Sequence, residues 1–404
     1  MKKRSFSRWL LTALAAMTAF SAPAAKKTFT AVTSNVDGLP PVVHIDYGVG
    51  SRDVNMNADG SQEPGATRMG QLFAENLWDI IALSEDFNYH SYIMNGVSTY
   101  YNAGKWRGLV DQSNLNGSLL NYPSITVTNN KGLYMKTDGL GFLTRKKYKV
   151  TPGADQEGEG TNWVRWDGYY GVTDHEADGL IAKGFRFYQV TLAEGLVVDV
   201  YITHMEAGSA PGDNAERAKQ LTQFAKYIRE HKGTNPIIVL GDTNCRYTRD
   251  PIYDNFILEI EKDTQLHVKD PWVEMMREGE YPEPNSPSIM VSQYGEQRGE
   301  VVDKIFYINN DNSKSTLTCK GYLHDDSFTY ADGSQIADHY PVVGTFEIEN
   351  PEAPTETAGV EIPDAPAKSG VVSGGTYYIR NLGTGEFLRA GGAWTTQAVL
   401  GDYP

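Results

Sequence analysis

Side chains able to hold a cation, move a proton or grip a phosphate stand where apolar runs end. Ser34-Asn35-Val36-Asp37-Gly38-Leu39 leaves a run that begins at Phe29. Leu83-Ser84-Glu85-Asp86-Phe87 closes Ile80-Ile81-Ala82, and Ile202-Thr203-His204-Met205-Glu206 closes Val197–Tyr201. Leu240-Gly241-Asp242-Thr243-Asn244 follows Ile237–Val239. Val302-Asp303-Lys304-Ile305-Phe306 and Ala337-Asp338-His339-Tyr340-Pro341-Val342 come later. Carboxylate and amide oxygens are hard ligands of the kind Mg²⁺ or Mn²⁺ takes. The histidines suit proton transfer and phosphate contact near neutral pH, and without thiolates they do not make a structural zinc site. Such a set can hydrolyse a phosphate ester with water: a cation offsets phosphoryl charge, and fixed donors stabilise the transition state. Each motif alone is ordinary. A G-D-x-N is often a turn, an Asp-His pair is common on surfaces, Glu85 could be solvated and Asn35 could cap a loop. Their joint occurrence, in order and at run ends, carries the chemical reading.

The elements that must position these residues are legible as patterns. Runs rich in β-branched residues predict strands over Phe29–Val36, Ile80–Leu83, Leu140–Leu143, Phe185–Thr191, Leu196–Thr203, Ile237–Leu240, Val301–Ile308 and Pro341–Ile348. Met69, Leu72, Phe73 and Leu77 recur at helical spacing. Asp213 with Glu216 three residues on predicts a capping box, followed by a stripe of Ala218, Leu221, Phe224, Ala225 and Ile228. Apolar runs separated by long Gly- and Asn-rich loops fit an α/β sandwich of two β-sheets flanked by helices, with the site on the loops.

The chain has 404 residues, a length that suggests one large domain and one small. Lys2, Lys3 and Arg4, then an apolar run from Trp9 to Phe20 and the small residues Ser21 to Ala25, describe an export signal over residues 1–25. The expected location is outside the cytoplasm: secreted, periplasmic or at the cell surface. There Cys245 and Cys319 could pair, and the sequence leaves pairing and free thiols both open. The catalytic domain is expected over residues 26–350. Residues 351–375, rich in Pro, Ala and Gly, read as a linker. Residues 376–404 turn aromatic and Gly-punctuated and resemble the opening of a β-trefoil-type binding module, too short to bury a core alone. Asp and Glu exceed Lys and Arg for a net charge of −15, which argues against charge-driven binding to nucleic acid or anionic membranes.

The ordered set S-x-N-V-x-G-L, Glu85, T-H, G-D-x-N, D-x-I-F and D-H-Y-P-V resembles the endonuclease/exonuclease/phosphatase superfamily from about Thr28 to Glu349. The resemblance implies a four-layer α/β/β/α sandwich of two central mixed β-sheets. It makes Glu85 the principal Mg²⁺ ligand, with Asn35 and Asp37 beside it and Asp338 reaching the ion from the far side. His339 becomes the general base or a phosphate contact, with Asp303 orienting its ring. Asp242 positions or deprotonates the attacking water, and Asn244 and His204 hold phosphate oxygens. Those roles are physically coherent. A carboxylate behind a histidine fixes its tautomer, and Asp242 and Asn244, two apart, share a face in extended backbone.

Within that superfamily the motifs divide. Glu85-Asp86-Phe87, Thr203-His204-Met205-Glu206-Ala207, the helix with Arg217 and Gln220, and Ala182-Lys183-Gly184 resemble secreted bacterial sphingomyelinase C enzymes. Glu206 departs there from Gln. Lys183 thereby joins Asn244 and His204 as a candidate substrate contact. Asn35-Val36-Asp37-Gly38-Leu39 is closer to abasic-site endonucleases, and Ala337 replaces a common Ser. Trp163, Trp166, Tyr169 and Tyr170 could meet a lipid surface or stack on a base, or be partly buried. The expectation is a monomeric Mg²⁺-dependent phosphodiesterase, Mn²⁺ being an alternative ion, that acts on a phospholipid head group with peripheral membrane contact. The alternatives are an extracellular nuclease acting on nucleic acid, an inositol-phosphate phosphatase and, more remotely, a non-catalytic adhesin.

Overall fold

The computed structural model describes residues 25–38, 65–87, 89–106, 125–128, 132–135, 138–153, 162–167, 178, 181, 183–354, 387–389 and 399–401. The expected export signal ahead of residue 25 lies outside them, as do Tyr169, Tyr170, Ala182 and most of the expected linker. In chain order the first strands are β1 (Ala25–Asn35), β2 (Ile80–Ser84), β3 (Tyr101–Ala103), β4 (Ile125–Thr128), β5 (Gly132–Met135) and β6 (Gly141–Arg145). Then come β7 (Lys149–Pro152), β8 (Trp163–Arg165), β9 (Gly184–Ala193), β10 (Leu196–His204), β11 (Ile237–Asp242) and β12 (Leu266–Lys269). The last are β13 (Asp303–Asn310), β14 (Thr316–His324), β15 (Val342–Asn350), β16 (Phe387–Arg389) and β17 (Val399–Gly401).

Two mixed sheets result. One has six strands in the order β14-β15-β1-β2-β6-β3. The other has seven, in the order β12-β13-β11-β10-β9-β7 with β8 on β9. Strands β4 and β5 pair separately, as do β16 and β17. Each large sheet holds a parallel pair, β1–β2 and β10–β11. A parallel pair needs a crossover rather than a hairpin. The crossovers contain helix α1 (Gly65–Asn76) and helix α3 (Pro211–His231), with α2 (His90–Val97) lying between β2 and β3 in the chain.

The side-chain alternation of the strands explains the layering. In β1, Ala31 faces one core and Val32 another; in β11, Ile238 and Leu240 face the first, while Ile237 and Val239 face a third. Successive residues on a strand point to opposite faces, so strands buried on both faces read as continuous apolar runs. The middle core joins the sheets through residues such as Phe29, Phe142, Val200, Ile305 and Phe346. On one outer face α3 packs Leu221, Phe224, Ala225 and Ile228 against Tyr201 and Phe306. On the other, Met69 and Phe73 of α1 and Ile93 of α2 pack against Val32, Ile81 and Leu143. Three cores separate four layers, the expected α/β/β/α sandwich.

Several details differ from the sequence reading. Helix α3 starts at Pro211 with Ala210 as its cap residue, and Asp213 is the third helical residue, accepting from the Ala210 N–H at 2.8 Å. Proline at the first turn, where no intrahelical N–H is required, moves the start forward. Glu216 pairs instead with Lys219 at 2.9 Å. Leu77 lies past the end of α1 with φ +54°. Cys245 and Cys319 are free and sit in different cores. Trp163 and Trp166 are fully buried, so neither is a surface contact for lipid or base.

Candidate active site

Strand register assembles the site before any side chain is considered. Asn35 is opposite Ser84 in the parallel β1–β2 pair, His204 is opposite Asp242 in β10–β11, and Asp242 is opposite Asp303 in β11–β13. The exits of both parallel pairs therefore share one edge of the sandwich. Ser84 Oγ lies 3.4 Å from both the Thr203 carbonyl oxygen and the Asp242 N–H nitrogen, linking the sheets there. A Cβ on Gly241 would come within 2.1 Å of the Thr203 carbonyl oxygen, and one on Gly38 within 2.4 Å of the Glu85 carbonyl oxygen. Glycine permits both approaches. Asp37, Glu85 and Asn244 adopt φ of +47°, +59° and +52° at the strand exits. Left-handed backbone at non-glycine residues costs about 1 kcal/mol or more each, and such strain clusters where function dictates side-chain direction.

Asn35 joins the sheets chemically. Its Nδ2 donates to Glu85 Oε1 and to Asp242 Oδ2, both at 3.0 Å, while its Oδ1 accepts from the Asp37 N–H at 2.9 Å. Asn35 thus orients two carboxylates rather than offering them a third oxygen. Among the described residues, one atom each from Glu85, His204 and Asp242 lie within 4.8 Å of one another, and so do atoms from Asp242, Asp303 and His339. Asp242 belongs to both groups. Asp37 and Asp338, expected as ligands, belong to neither. Asp37 is buried, with its backbone serving Asn35, and Asp338 is exposed, 3.9 Å from His339 Nε2. Asp242 Oδ1 accepts from the Asn244 N–H at 2.8 Å, and Asn244 Nδ2 donates to the Met205 carbonyl at 3.3 Å.

Electrostatics follow from this crowding. Burial, with Asp338 and Asp242 adding to it against the Asn35 bond, pushes Glu85 up to about 7. A carboxylate so placed favours a cation beside it. Burial raises Asp242, but the positive neighbour His339 and the Asn244 and Asn35 bonds outweigh it and hold Asp242 below its usual range. Burial and the Lys183 charge bring His204 down to about 3, so its ring is neutral. His339 is the opposite case: burial works against its charge, yet Asp303, 2.5 Å from Nδ1, with Asp242 and Asp338, holds it well above the imidazole range. Two carboxylates and an imidazole within ligand spacing, one carboxylate held near neutrality, fit a hard divalent cation. Glu85 and Asp242 would hold it.

Lys183 and Arg217, both named from the sequence, act through long-range contacts, and Asp178, which the sequence reading missed, joins them. Lys183 is buried with Nζ 3.2 Å from His204 Nε2, 2.9 Å from the Met205 carbonyl and 2.7 Å from Asp178 Oδ1. Asp178 also accepts from the Ala207 N–H at 2.7 Å. Nothing around Asp178 in the sequence signals that partnership. Arg217 donates from Nη1 to the carbonyls of Glu206, Ala207 and Gly208, and from Nε to Asp250 at 2.9 Å. It thereby fixes the loop leaving His204. Arg217→Met leaves Asp250 buried beside one fewer cation, and a urea melt should record a loss of about 3–5 kcal/mol. A change below about 1 kcal/mol would contradict a structural role for the pair.

No protein-family model matches the chain. Sphingomyelinases of Mycobacterium bovis and Mycobacterium tuberculosis are 33% identical to it over 168 residues, 41% of this chain. The match spans 31% of those relatives' own length. Over those 168 residues the chain is similar to sphingomyelinases in sequence, and its two stacked mixed sheets between helices form the α/β/β/α sandwich that the sequence motifs imply. Among solved structures, a Staphylococcus aureus beta toxin double mutant with bound magnesium ions is 17% identical, with TM-score 0.44 over 79% of this chain and 99% of that one. A humanized D. rerio TDP2 is 16% identical, with TM-score 0.44 over 79% and 98%. The human Nocturnin catalytic domain with bound sulfate is 15% identical, with TM-score 0.47 over 80% and 97%.

Proposed function

We propose that the protein is an exported, Mg²⁺-dependent phosphodiesterase that hydrolyses a phospholipid such as sphingomyelin, releasing phosphocholine and ceramide. The observation that carries this reading is the single amide of Asn35 bonded to Glu85 of one sheet and Asp242 of the other. Acidic groups distant in sequence meet there, beside His204 and the His339–Asp303 pair. The sequence similarity to sphingomyelinases supports the choice of substrate. Export rests on residues 1–25, and residues 376–404 are proposed to belong to a β-rich binding module.

A divalent cation bound at Glu85 and Asp242 would supply charge to offset the phosphoryl oxygens. The protein's own groups do the remaining work. Asp242, at the junction of the two groups, orients the attacking water and accepts its proton. His339, fixed by Asp303, contacts the phosphate or exchanges a proton with it. Asn244 and His204 hold the remaining oxygens, and Lys183 keeps the His204 ring in place.

The deciding experiment compares sphingomyelin vesicles, plasmid DNA and inositol polyphosphate side by side, each with Mg²⁺ and with EDTA. Sphingomyelin hydrolysis abolished by EDTA is expected; cleavage of DNA without lipid hydrolysis would move the protein to the nuclease reading. Glu85→Gln removes charge but keeps shape, so the Mg²⁺ concentration for half-maximal activity should rise about tenfold or more. An unchanged titration would take Glu85 out of the cation site.

A further inference from the structure

We propose that Arg246 forms an anion subsite beside the reaction centre, taking a second phosphate-type oxyanion next to the phosphate that is hydrolysed. The oxyanion would come from the substrate molecule itself or from a neighbouring lipid head group. This rests on the phosphate-ester reading above. A cleft of about 490 Å³ opens on His339 and Asp303, and its walls include Arg246, Met290, Glu296 and Glu300. Glu85, His204 and Asp242 do not line it, so the cleft is a compartment adjoining the carboxylate cluster.

The wall's charges pair off except at Arg246 and at Asp338, which is exposed and 3.9 Å from His339 Nε2. Glu296 faces His324 Nδ1 at 2.9 Å. Glu300 is met by Lys304 Nζ at 3.0 Å, the Tyr247 N–H at 2.6 Å and Thr248 Oγ1 at 3.3 Å. Asp303 holds His339. Asp250, close to Arg246 in sequence, is committed to Arg217 and Arg249 at 2.9 and 2.8 Å and accepts only the backbone N–H of Arg246, at 3.0 Å. Among the described residues no carboxylate pairs with the Arg246 guanidinium. Its Nε is buried without a hydrogen-bond partner, and Nη1 meets the weak acceptor Met290 Sδ at 3.6 Å. A guanidinium presents a rigid planar fork of donors, and buried donors are ordinarily satisfied. The partner that matches such a fork is a bidentate oxyanion.

The test has two arms on the full chain. In EDTA, titration calorimetry with inorganic phosphate should show saturable binding that weakens about tenfold or more in Arg246→Met and less in Arg246→Lys. Equal affinity in wild type and Arg246→Met overturns the proposal. The second arm measures ratios of kcat/KM: a soluble diester with a second phosphate against one without, and sphingomyelin vesicles with phosphatidic acid against vesicles without. Arg246→Met should reduce the ratio about tenfold in the arm whose source supplies the oxyanion, thereby identifying that source. Ratios unchanged in both arms overturn it. Should wild type hydrolyse no phosphate ester, the functional reading fails, and the phosphate titration still decides Arg246.

Discussion

Asp242→Asn is expected to lower kcat by about three orders of magnitude, the range that positioned proton transfer contributes. Asp242 is the one carboxylate common to both polar groups of the site, so its loss removes a water-orienting acceptor and a cation ligand together. The substitution keeps the backbone-facing acceptor for the Asn244 N–H but turns an amide toward Asn35 Nδ2, where two donors would face each other. Some stability should therefore be lost, on the order of 1–3 kcal/mol for an unsatisfied buried group, with the fold retained. Near-ultraviolet circular dichroism checks the fold, and steady-state kinetics with rising Mg²⁺ checks the site. The Mg²⁺ series separates this variant from Glu85→Gln: more cation should restore Glu85→Gln and leave Asp242→Asn inactive. Recovery of Asp242→Asn with cation would reduce Asp242 to a ligand and remove it from the water-activating role.

Much of this arrangement is legible in the sequence, because strands buried on both faces announce themselves as continuous apolar runs and the site residues follow them directly. Ile80–Ser84 and Ile237–Asp242 are such cases, and their polar exits carry Glu85 and Asp242. Edge strands are less visible. Strand β14 alternates buried Leu317 and Cys319 with exposed Thr316, Thr318 and Lys320, and its composition is too polar to stand out. Helix starts fail for a different reason: an Asp three residues from a Glu looks like a cap, yet Pro211 sets the first turn earlier. Least legible are groups whose meaning lies in who is not beside them. Arg246 looks like any arginine in a loop until the neighbouring acids are seen to be occupied. Asn35 looks like a metal ligand by pattern and becomes a donor to two carboxylates only once the sheets are stacked.

His339→Ala should lower kcat by about 10³-fold, and the companion variant Asp303→Asn shows why. Asp303 Oδ2 lies 2.5 Å from His339 Nδ1, while Asp303 Oδ1 has no hydrogen-bond partner among the described residues. The carboxylate is therefore committed to the ring and to little else in its surroundings. If Asp303 acts only through His339, replacing it matters only while the imidazole is present. Asp303→Asn alone should cost turnover by holding the ring less firmly and withdrawing the charge that keeps it protonated, by about 10- to 100-fold. In the double variant that loss should vanish: His339→Ala with Asp303→Asn should be as slow as His339→Ala alone, because residues acting as a unit are strongly non-additive. Losses that multiply across the pair would mean that Asp303 reaches substrate, water or cation independently. In that case the second polar group of the site, Asp242 with Asp303 and His339, would be a cation site in its own right rather than an imidazole held by its carboxylate.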